Sequence, residues 1–435
     1  MDMVDNNIKK LMNFKRENLI NGLVLKWKTV VIYAIMFVSS FLPVDFFSPF
    51  LVFVGFFLIF KSLHNLKISY LNLVMPLFVV FITGIIGLFG HEPRDIFRDI
   101  FYALTPPALI YIGYWIAEDE KMWPKILEVL IIGGIIIAVI HLSKFIQKPE
   151  LLHDGIFKNR GKAPNPNISL IALSLVLGIF QHRLRIGNIF PRLLPRFIIV
   201  PLLLLSFVLS FSRTGLIFAI MLTISILGYI GSIRLRTIVS IVMLIGALAT
   251  IILTTPADEV GTFRSQIARS LKEVTVSNYK NITEITTNFR GYETYKAINT
   301  FATGNVKQII LGKGFGALVD LNMTMALSGV NFRKIPVLHN GYAYILVKTG
   351  ILGIFCYIFF YFVLLKYSFK FINSRDPEQI LFARLLMGCT LSLMLTMFVV
   401  GGIAEIHHSE YVLLIGFIFS RMKLFEFNQH FGNEN

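Results

Sequence analysis

The chain has 435 residues, of which 55% are hydrophobic and 15% charged, with a mean hydropathy of +0.70 and a formal net charge of +16. A typical soluble domain carries about 25% charged residues, so this composition excludes an ordinary soluble protein. Lys and Arg are concentrated in short segments between apolar runs, which indicates a membrane topology rather than a nucleic-acid-binding surface.

The apolar runs predict an all-α, polytopic membrane protein with about twelve transmembrane helices, because a helix needs about 20 residues to cross the hydrocarbon core. Both termini are predicted to be cytoplasmic from the Lys and Arg distribution, and the first run is interpreted as a retained helix rather than a signal peptide. The tandem prolines Pro106-Pro107 are expected to kink the fourth helix. The runs lie near 29–45, 46–60, 69–90, 100–117, 124–143, 167–180, 197–212, 214–231, 237–254, 341–365, 381–403 and 410–425.

This topology divides the chain into three parts. Residues 1–254 contain helices one to nine with a short outward loop near 144–166, residues 255–340 form a large outward loop, and residues 341–435 contain helices ten to twelve and a cytoplasmic tail. Apolar residues recur at three- and four-residue steps in the large loop, a helical spacing. We therefore expect a partly helical cap over the outer mouth of the bundle.

The stretch "SFSRTG" joins two predicted spans and places Arg213 at or just inside the outer membrane face. A lone interfacial arginine often extends its guanidinium to lipid headgroups. Alternatively, the guanidinium binds a phosphate-bearing ligand, because its planar donors match phosphate oxygens bidentately. Further hydroxyl donors stand beside it, at Ser210, Ser212 and Thr214.

Two more arginines lie in outward segments. Arg290 opens "RGYETYKA", where Glu293 lies three residues on and so on the same helical face. Arg290 is therefore either a surface charge paired with Glu293 or a ligand-binding cation. Arg160 in "NRGKAP" has the same two interpretations, an ordinary loop charge or a contact to an anionic ligand.

The stretch "VLHNGYAYILVKTGILG" places His339 and Asn340 where the large loop re-enters the membrane. A histidine with an unperturbed pKa of about 6.5 can take a proton from a sugar hydroxyl, as general bases do. The alternative is a histidine that caps the helix starting at Gly341. Lys348 lies about two turns deeper, where an ionisable side chain usually faces the bundle interior or a wet cavity.

Two other motifs are weaker. "LGKGFG", Leu311 to Gly316, lacks the strand-then-helix context of a phosphate loop, so a plain outward turn is favoured. "AEIHHSE", Ala404 to Glu410, contains no H-E-x-x-H pattern, so a secondary polar contact is favoured over metal binding. The sequence thus predicts no metal site.

Three motifs in order resemble the O-antigen ligases and the related Wzy-type polysaccharide polymerases. His339, Asn340, Gly350 and Gly353 fit the pattern H-[NSQ]-x9-G-x-x-G of that family. "SRTG" is similar to the family's short arginine motif between two helices, and "NFRGYETYKAINTF" followed by "ILGKGFG" resembles the stretch that leads to the histidine. The resemblance covers roughly residues 160–355.

The resemblance implies a GT-C-type, metal-independent inverting glycosyltransferase without cofactor, in the bacterial inner membrane and with a periplasmic active site. Such enzymes transfer a glycan from undecaprenyl pyrophosphate to an acceptor sugar hydroxyl. It implies that Arg213 and Arg290 hold the pyrophosphate and that His339 orients or deprotonates the acceptor. It also implies a chain-length regulator protein as a partner. Substrate-binding roles would fall to Arg160, Asn340, Lys348, Ser212 and Glu293.

Three functions remain open at this point. A polymerase adds glycan to a carrier-linked repeat unit, and the Phe- and Ile-rich composition favours this branch. A ligase transfers finished glycan to lipid A-core, and the histidine motif is close to the ligase form. The polymerase arginine motif R-x10-G is not met by Arg290, because Phe301 stands at the glycine position. A flippase or other transporter would show two related halves, and no such symmetry is found.

Overall fold

A computed structural model of the chain describes residues 27–36, 39–41, 44–61, 68–88, 90–148, 167–182, 196–210, 212–232, 275–327, 330–399 and 408–431. Arg160, the predicted span 237–254 and the first part of the large outward loop lie outside these residues. The described part of the chain is mostly helical, and residues 27–36 form a further helical segment before the first labelled helix.

The helices and strands follow one another along the chain with short connections. They are α1 (Val44–Lys61), α2 (Ile68–Ile86), α3 (Pro93–Ile116), α4 (Met122–Gln147), α5 (Ile168–Phe180), α6 (Arg196–Ser210), α7 (Arg213–Leu227), α8 (Tyr229–Ser232), α9 (Ile282–Thr287), α10 (Phe289–Ala302), α11 (Val306–Leu311), β1 (Val319–Leu327), β2 (Val330–Ile335), α12 (Gly341–Phe371), α13 (Pro377–Thr396) and α14 (Ser409–Phe431).

Four of these helices are long and apolar enough to cross a membrane, namely α2, α4, α12 and α13. Shorter apolar helices accompany them at 27–41, at 46–61 and in α5, α6 and α7. Large aromatic side chains on α1 are exposed by about two thirds, as expected of a surface that faces lipid, among them Phe46, Phe53, Phe57 and Phe60. The chain is therefore a helical membrane protein, while the total of about twelve spans and the GT-C architecture stay predictions.

The starts of several helices follow ordinary capping chemistry. Side-chain oxygens of Asn167, Ser212, Asn305, Asn340 and Asp376 accept hydrogen bonds from backbone N–H groups in the first turns of α5, α7, α11, α12 and α13. These bonds satisfy donors that a helix start leaves without intrahelical partners. Local sequence thus fixes where these helices begin.

The expectation of an all-α fold needs one correction, because β1 and β2 form an antiparallel two-stranded sheet. Val319 pairs with Ile335, and the register shifts between Asp320 and Met325, next to Asn322 with its positive φ of 57°. The N–H of Asn322 donates to the Asp320 carboxylate (2.8 Å) and holds the pKa of this carboxyl below its usual range. Apolar and polar residues alternate along β1, and such a two-residue period places one face against the protein.

Helices α7 and α13 pack against each other in opposite directions. The Ser225 hydroxyl donates to the Arg384 carbonyl (2.5 Å). Leu222, one turn earlier on α7, lies against Gly388, one turn later on α13. Continuing this pairing brings Arg213, the first residue of α7, to the end of the bundle where α13 finishes.

Helix α12 begins at that same end of the bundle. The N–H of Gly341 donates to the Met397 carbonyl just beyond α13 (2.9 Å), and the Tyr342 hydroxyl donates to the Met394 carbonyl (2.9 Å). His339 precedes Gly341 by two residues, so it lies at the end of the bundle that also carries the start of α7. We call this end the motif end.

The direction of α14 confirms the assignment of the two ends. Near its start, the Tyr411 ring lies 4.3 Å from the ring of Phe218, in the second turn of α7. Later in the same helix, Arg421 pairs with Glu120 between α3 and α4 (3.3 Å) and lies 3.9 Å from Glu378, at the start of α13. Arg421 is therefore at the opposite end from His339.

Helix α12 is broken at Gly350, which has φ 67° and ψ −164°. These angles belong to a region that essentially only glycine occupies. By contrast, α3 continues through Pro106 and Pro107, where a kink was expected, and the Tyr70 hydroxyl donates to the Pro107 carbonyl (3.0 Å). The nine residues 341–349, which we call the head of α12, thus form a separate helical block below His339.

Candidate active site

His339 lies at the entrance to the head of α12, and its side chain is 46% exposed. The residue after it, Asn340, caps the helix, since its side-chain oxygen accepts from the N–H of Ala343 (3.1 Å). The structure thus assigns the cap to Asn340 rather than to the histidine. His339 remains available for contact with a ligand on one side of its ring.

Glu293 binds His339 on the other side of the ring. The Glu293 side chain is only 1% exposed, and its Oε2 lies 2.9 Å from Nδ1 of His339. The backbone N–H of His339 also donates to both carboxylate oxygens, at 3.2 and 3.3 Å. An ionised carboxylate only accepts hydrogen bonds, so Nδ1 carries the ring proton and Nε2 is the atom able to accept one.

Helix α10 carries both Glu293 and Arg290, and its presence confirms the helical spacing read from the sequence. Arg290 precedes Glu293 by three residues and therefore lies on a neighbouring part of the same helical face. Tyr292 fixes this helix to the sheet, because its hydroxyl donates to the Leu321 carbonyl (2.7 Å). The Phe289 ring meets the imidazole of His339 edge-on, with the ring centres 6.1 Å apart.

Arg213 is the first residue of the 15-residue helix α7 and is half-buried. Ser212 caps that helix by accepting from the N–H of Gly215 (3.2 Å), and its hydroxyl lies 2.8 Å from that of Thr214. The backbone N–H groups of a helix start and an arginine at the same place favour an anionic ligand. The structure therefore places a cationic helix start at the motif end.

Lys348 is 2% exposed and its ammonium contacts protein groups. Its Nζ lies 2.6 Å from Oδ2 of Asp99, which is fully buried, and it also donates to the Ala317 carbonyl. The Tyr344 hydroxyl donates to the other carboxylate oxygen of Asp99 (2.8 Å), and the N–H of Gly316 donates to Oδ2 (2.7 Å). This arrangement disfavours the direct substrate contact predicted for Lys348.

Asp99 is a residue that the sequence analysis did not select. A carboxylate at the head of an apolar span is costly unless it is paired, and that signal was present in "RDIFRDIF". Its partners could not be identified from local spacing, since Lys348 is 249 positions away. Pairing across that distance is visible only in the folded chain.

The remaining predicted residues are placed as follows. In "AEIHHSE" only the last three residues are described, and there the buried Glu410 accepts from the Ser169 hydroxyl, a polar contact as favoured above. Among the described residues, no group of three His, Cys, Asp or Glu side chains is arranged to hold a metal ion. Arg160 lies outside the described part of the chain.

Comparison with known proteins identifies one domain. Residues 197–358 match the family model Wzy_C, described as O-Antigen ligase. The matched segment contains Arg213, Arg290, Glu293 and His339, and it ends beyond the Gly350 break. No curated protein matches the chain. The match confirms the resemblance to the O-antigen polymerase and ligase superfamily.

Proposed function

We propose that this member of the O-antigen polymerase and ligase superfamily is a polysaccharide polymerase. It would move glycan from undecaprenyl pyrophosphate to a hydroxyl of a carrier-linked repeat unit, at the periplasmic face of the bacterial inner membrane. The observation that carries the proposal is the half-exposed imidazole of His339, held through Nδ1 by the buried carboxylate of Glu293 (2.9 Å). Such a pair is suited to proton abstraction at neutral pH.

The acceptor would be activated by His339. Its Nε2 takes the proton of the acceptor hydroxyl as the oxygen attacks the anomeric carbon of the donor sugar. Glu293 stabilises the imidazolium that forms and keeps the ring in the productive tautomer, as a carboxylate does in other histidine-dependent transfers. Because the carboxylate is buried and bound to His339, we assign Glu293 to positioning the base rather than to contact with the substrate.

The donor pyrophosphate would be bound by Arg213 and Arg290. As the new bond forms on one face of the anomeric carbon, the bond to the pyrophosphate oxygen breaks on the opposite face, giving inversion. Negative charge then collects on the departing undecaprenyl pyrophosphate, and guanidinium groups stabilise it without a metal ion. Support comes from the position of Arg213 at a helix start and of Arg290 one turn before Glu293.

The other predicted site residues receive supporting roles in this proposal. Ser212 and Asn340 fix the starts of α7 and α12, from which Arg213 and His339 are presented. Arg160, in the loop before α5, would add a further cation for the donor. Lys348 acts inside the protein through Asp99.

An O-antigen ligase is the second candidate function. The pattern H-[NSQ]-x9-G-x-x-G is close to the ligase form, and the matching family model carries the description O-Antigen ligase. The chemistry at the donor would be the same, and the acceptor would be a sugar of lipid A-core. The two functions therefore differ in the acceptor alone.

The test is a lipopolysaccharide gel from a deletion strain complemented with the wild type, His339→Ala or His182→Ala. His182 is an exposed histidine just beyond α5 and serves as the matched control. Core with one repeat unit and no ladder in the deletion strain supports a polymerase, and bare core with long glycan left on the carrier supports a ligase. A normal ladder from His339→Ala would contradict the proposed mechanism.

A further inference from the structure

The head of α12 needs a support of its own, because Gly350 separates it from the rest of the helix. A block of nine helical residues is about 14 Å long, at about 1.5 Å per residue. A tilt of about 5° about its lower end therefore moves the upper end, where His339 is attached, by about 1 Å. A misplacement of that size can lower a catalytic rate by about 100-fold.

Asp99 binds this block from the side. Tyr344 and Lys348 lie four residues apart on one face of the helix, and each contacts one oxygen of the fully buried Asp99 carboxylate, at 2.8 and 2.6 Å. The same carboxylate accepts from the N–H of Gly316 (2.7 Å), and Arg98 lies 3.6 Å from it. Asp99 thus connects α3, the head of α12 and the segment that leads into the sheet.

The block has other contacts at its two ends, but they are of a different kind. At the top, Gly341 and Tyr342 donate to backbone carbonyls after and within α13. At the bottom, the carbonyls of Val347 and Lys348 accept from backbone N–H groups of the glycine-rich segment. The ion pair of Lys348 with Asp99 is the charged contact among the described residues of this block, and charged hydrogen bonds are roughly twice as strong as neutral ones.

We propose that Asp99 is a positioning residue for the transfer reaction: by binding Tyr344, Lys348 and Gly316, it fixes the tilt of the head of α12 and thereby the place of His339. This inference rests on the proposed function, in which His339 is the base. It also assigns a role to a residue outside the segment 197–358 that matches the family model.

The experiment compares full-length variants in purified form, with carrier-linked repeat units extracted from the deletion strain as substrate. The variants are Asp99→Asn, the neutral pair Asp99→Asn with Lys348→Gln, and His339→Ala. Arg421→Met is the matched control, because Arg421 is also buried and ion-paired but lies at the other end of the bundle. Turnover is expressed per folded molecule, with the folded fraction taken from thermal unfolding.

We expect Asp99→Asn to lower kcat by about 10- to 100-fold while KM changes by less than about threefold, because substrate binding groups are untouched. If the single variant does not fold, the neutral pair leaves no unpaired buried charge and should show the same loss of kcat. Arg421→Met should keep its kcat per folded molecule.

Two results would overturn the inference alone. One is wild-type kcat in folded Asp99→Asn or in the neutral pair while His339→Ala is inactive. The other is an equal loss of kcat in Arg421→Met, which would indicate general destabilisation. An active His339→Ala would instead remove the proposed function on which the inference rests.

Discussion

The backbone N–H of Lys313 donates to the carbonyl of Val347 at 2.8 Å, which joins the glycine-rich segment to the break in α12. In an unbroken helix that carbonyl would accept from a residue four positions later on the same helix. The N–H of Gly314 does the same for the next carbonyl, that of Lys348 (3.0 Å). The motifs "LGKGFG" and "KTGILG" are therefore two halves of one joint.

Gly350→Ala should reduce the amount of folded protein. The φ of 67° strains any side chain by about 1–3 kcal/mol, and a Cβ at this position would meet the backbone of Gly312 and Ile310. Gly90→Ala is the matched control, because Gly90 has a φ of 90° but open space around its Cβ. We expect a larger fall in the unfolding temperature for Gly350→Ala, measured on purified protein. Equal falls would show that the contact with Gly312 costs nothing.

Glu293→Gln should lower turnover by about 10²- to 10⁴-fold, because the imidazolium loses its counter-charge while the amide oxygen still accepts from the N–H of His339. Glu293→Asp shortens the side chain by one carbon and should retain part of the activity. The matched control is Glu284→Gln on α9, where the glutamate is exposed. Turnover of carrier-linked repeat units is the measurement, and wild-type turnover in Glu293→Gln would contradict the assigned role.

The sequence predicts what depends on local spacing. The apolar runs indicate the helices, Asn340 follows cap chemistry, and the three-residue period after Arg290 predicts α10. The sheet was missed although β1 alternates apolar and polar residues, from Val319 to Leu327, and a Ser-Gly turn follows it. The surrounding segment was interpreted as a helical cap, and the two-residue period was not given its weight.

What the sequence could not predict depends on pairs distant along the chain. Glu293 was expected to pair with Arg290 or with substrate, yet it binds His339, 46 positions later. Lys348 was expected at a wet cavity, yet it is paired with Asp99. In both cases a buried carboxylate finds its partner only when separate helices pack, and spacing within one helix carries no information about that choice.

Asn340→Ala should weaken the protein with little effect on turnover per folded molecule. The cap bond to the N–H of Ala343 (3.1 Å) is lost, which costs about 1 kcal/mol. Asn340→Asp keeps an accepting oxygen and should restore the unfolding temperature. Its neighbour provides the opposite case, since His339→Ala should lose turnover and keep the unfolding temperature. If Asn340→Ala instead raises KM at unchanged stability, Asn340 contacts the substrate as first expected from the resemblance.

Turnover should not depend on an added metal ion. The resemblance implies a metal-independent reaction, and in the proposed mechanism Arg213 and Arg290 take the place of a cation at the pyrophosphate. We expect equal rates with and without a chelator in excess over all divalent ions in the assay. A loss of rate that a divalent ion restores would contradict this part of the mechanism.

Arg213→Lys and Arg290→Lys separate phosphate binding from simpler roles of these arginines. Lysine keeps the charge and can extend to lipid headgroups or pair with a carboxylate, but it lacks the planar donors that bind two phosphate oxygens at once. If the arginines hold the donor pyrophosphate, each change should lower turnover by about 10²-fold, the usual loss for one transition-state contact. Arg375→Lys, in the exposed connection before α13, is the matched control. The measurement is turnover in purified protein together with the lipopolysaccharide ladder in complemented cells. A full ladder and wild-type turnover with Arg213→Lys would assign that arginine to the lipid surface, and the same result with Arg290→Lys would assign it to the surface of α10.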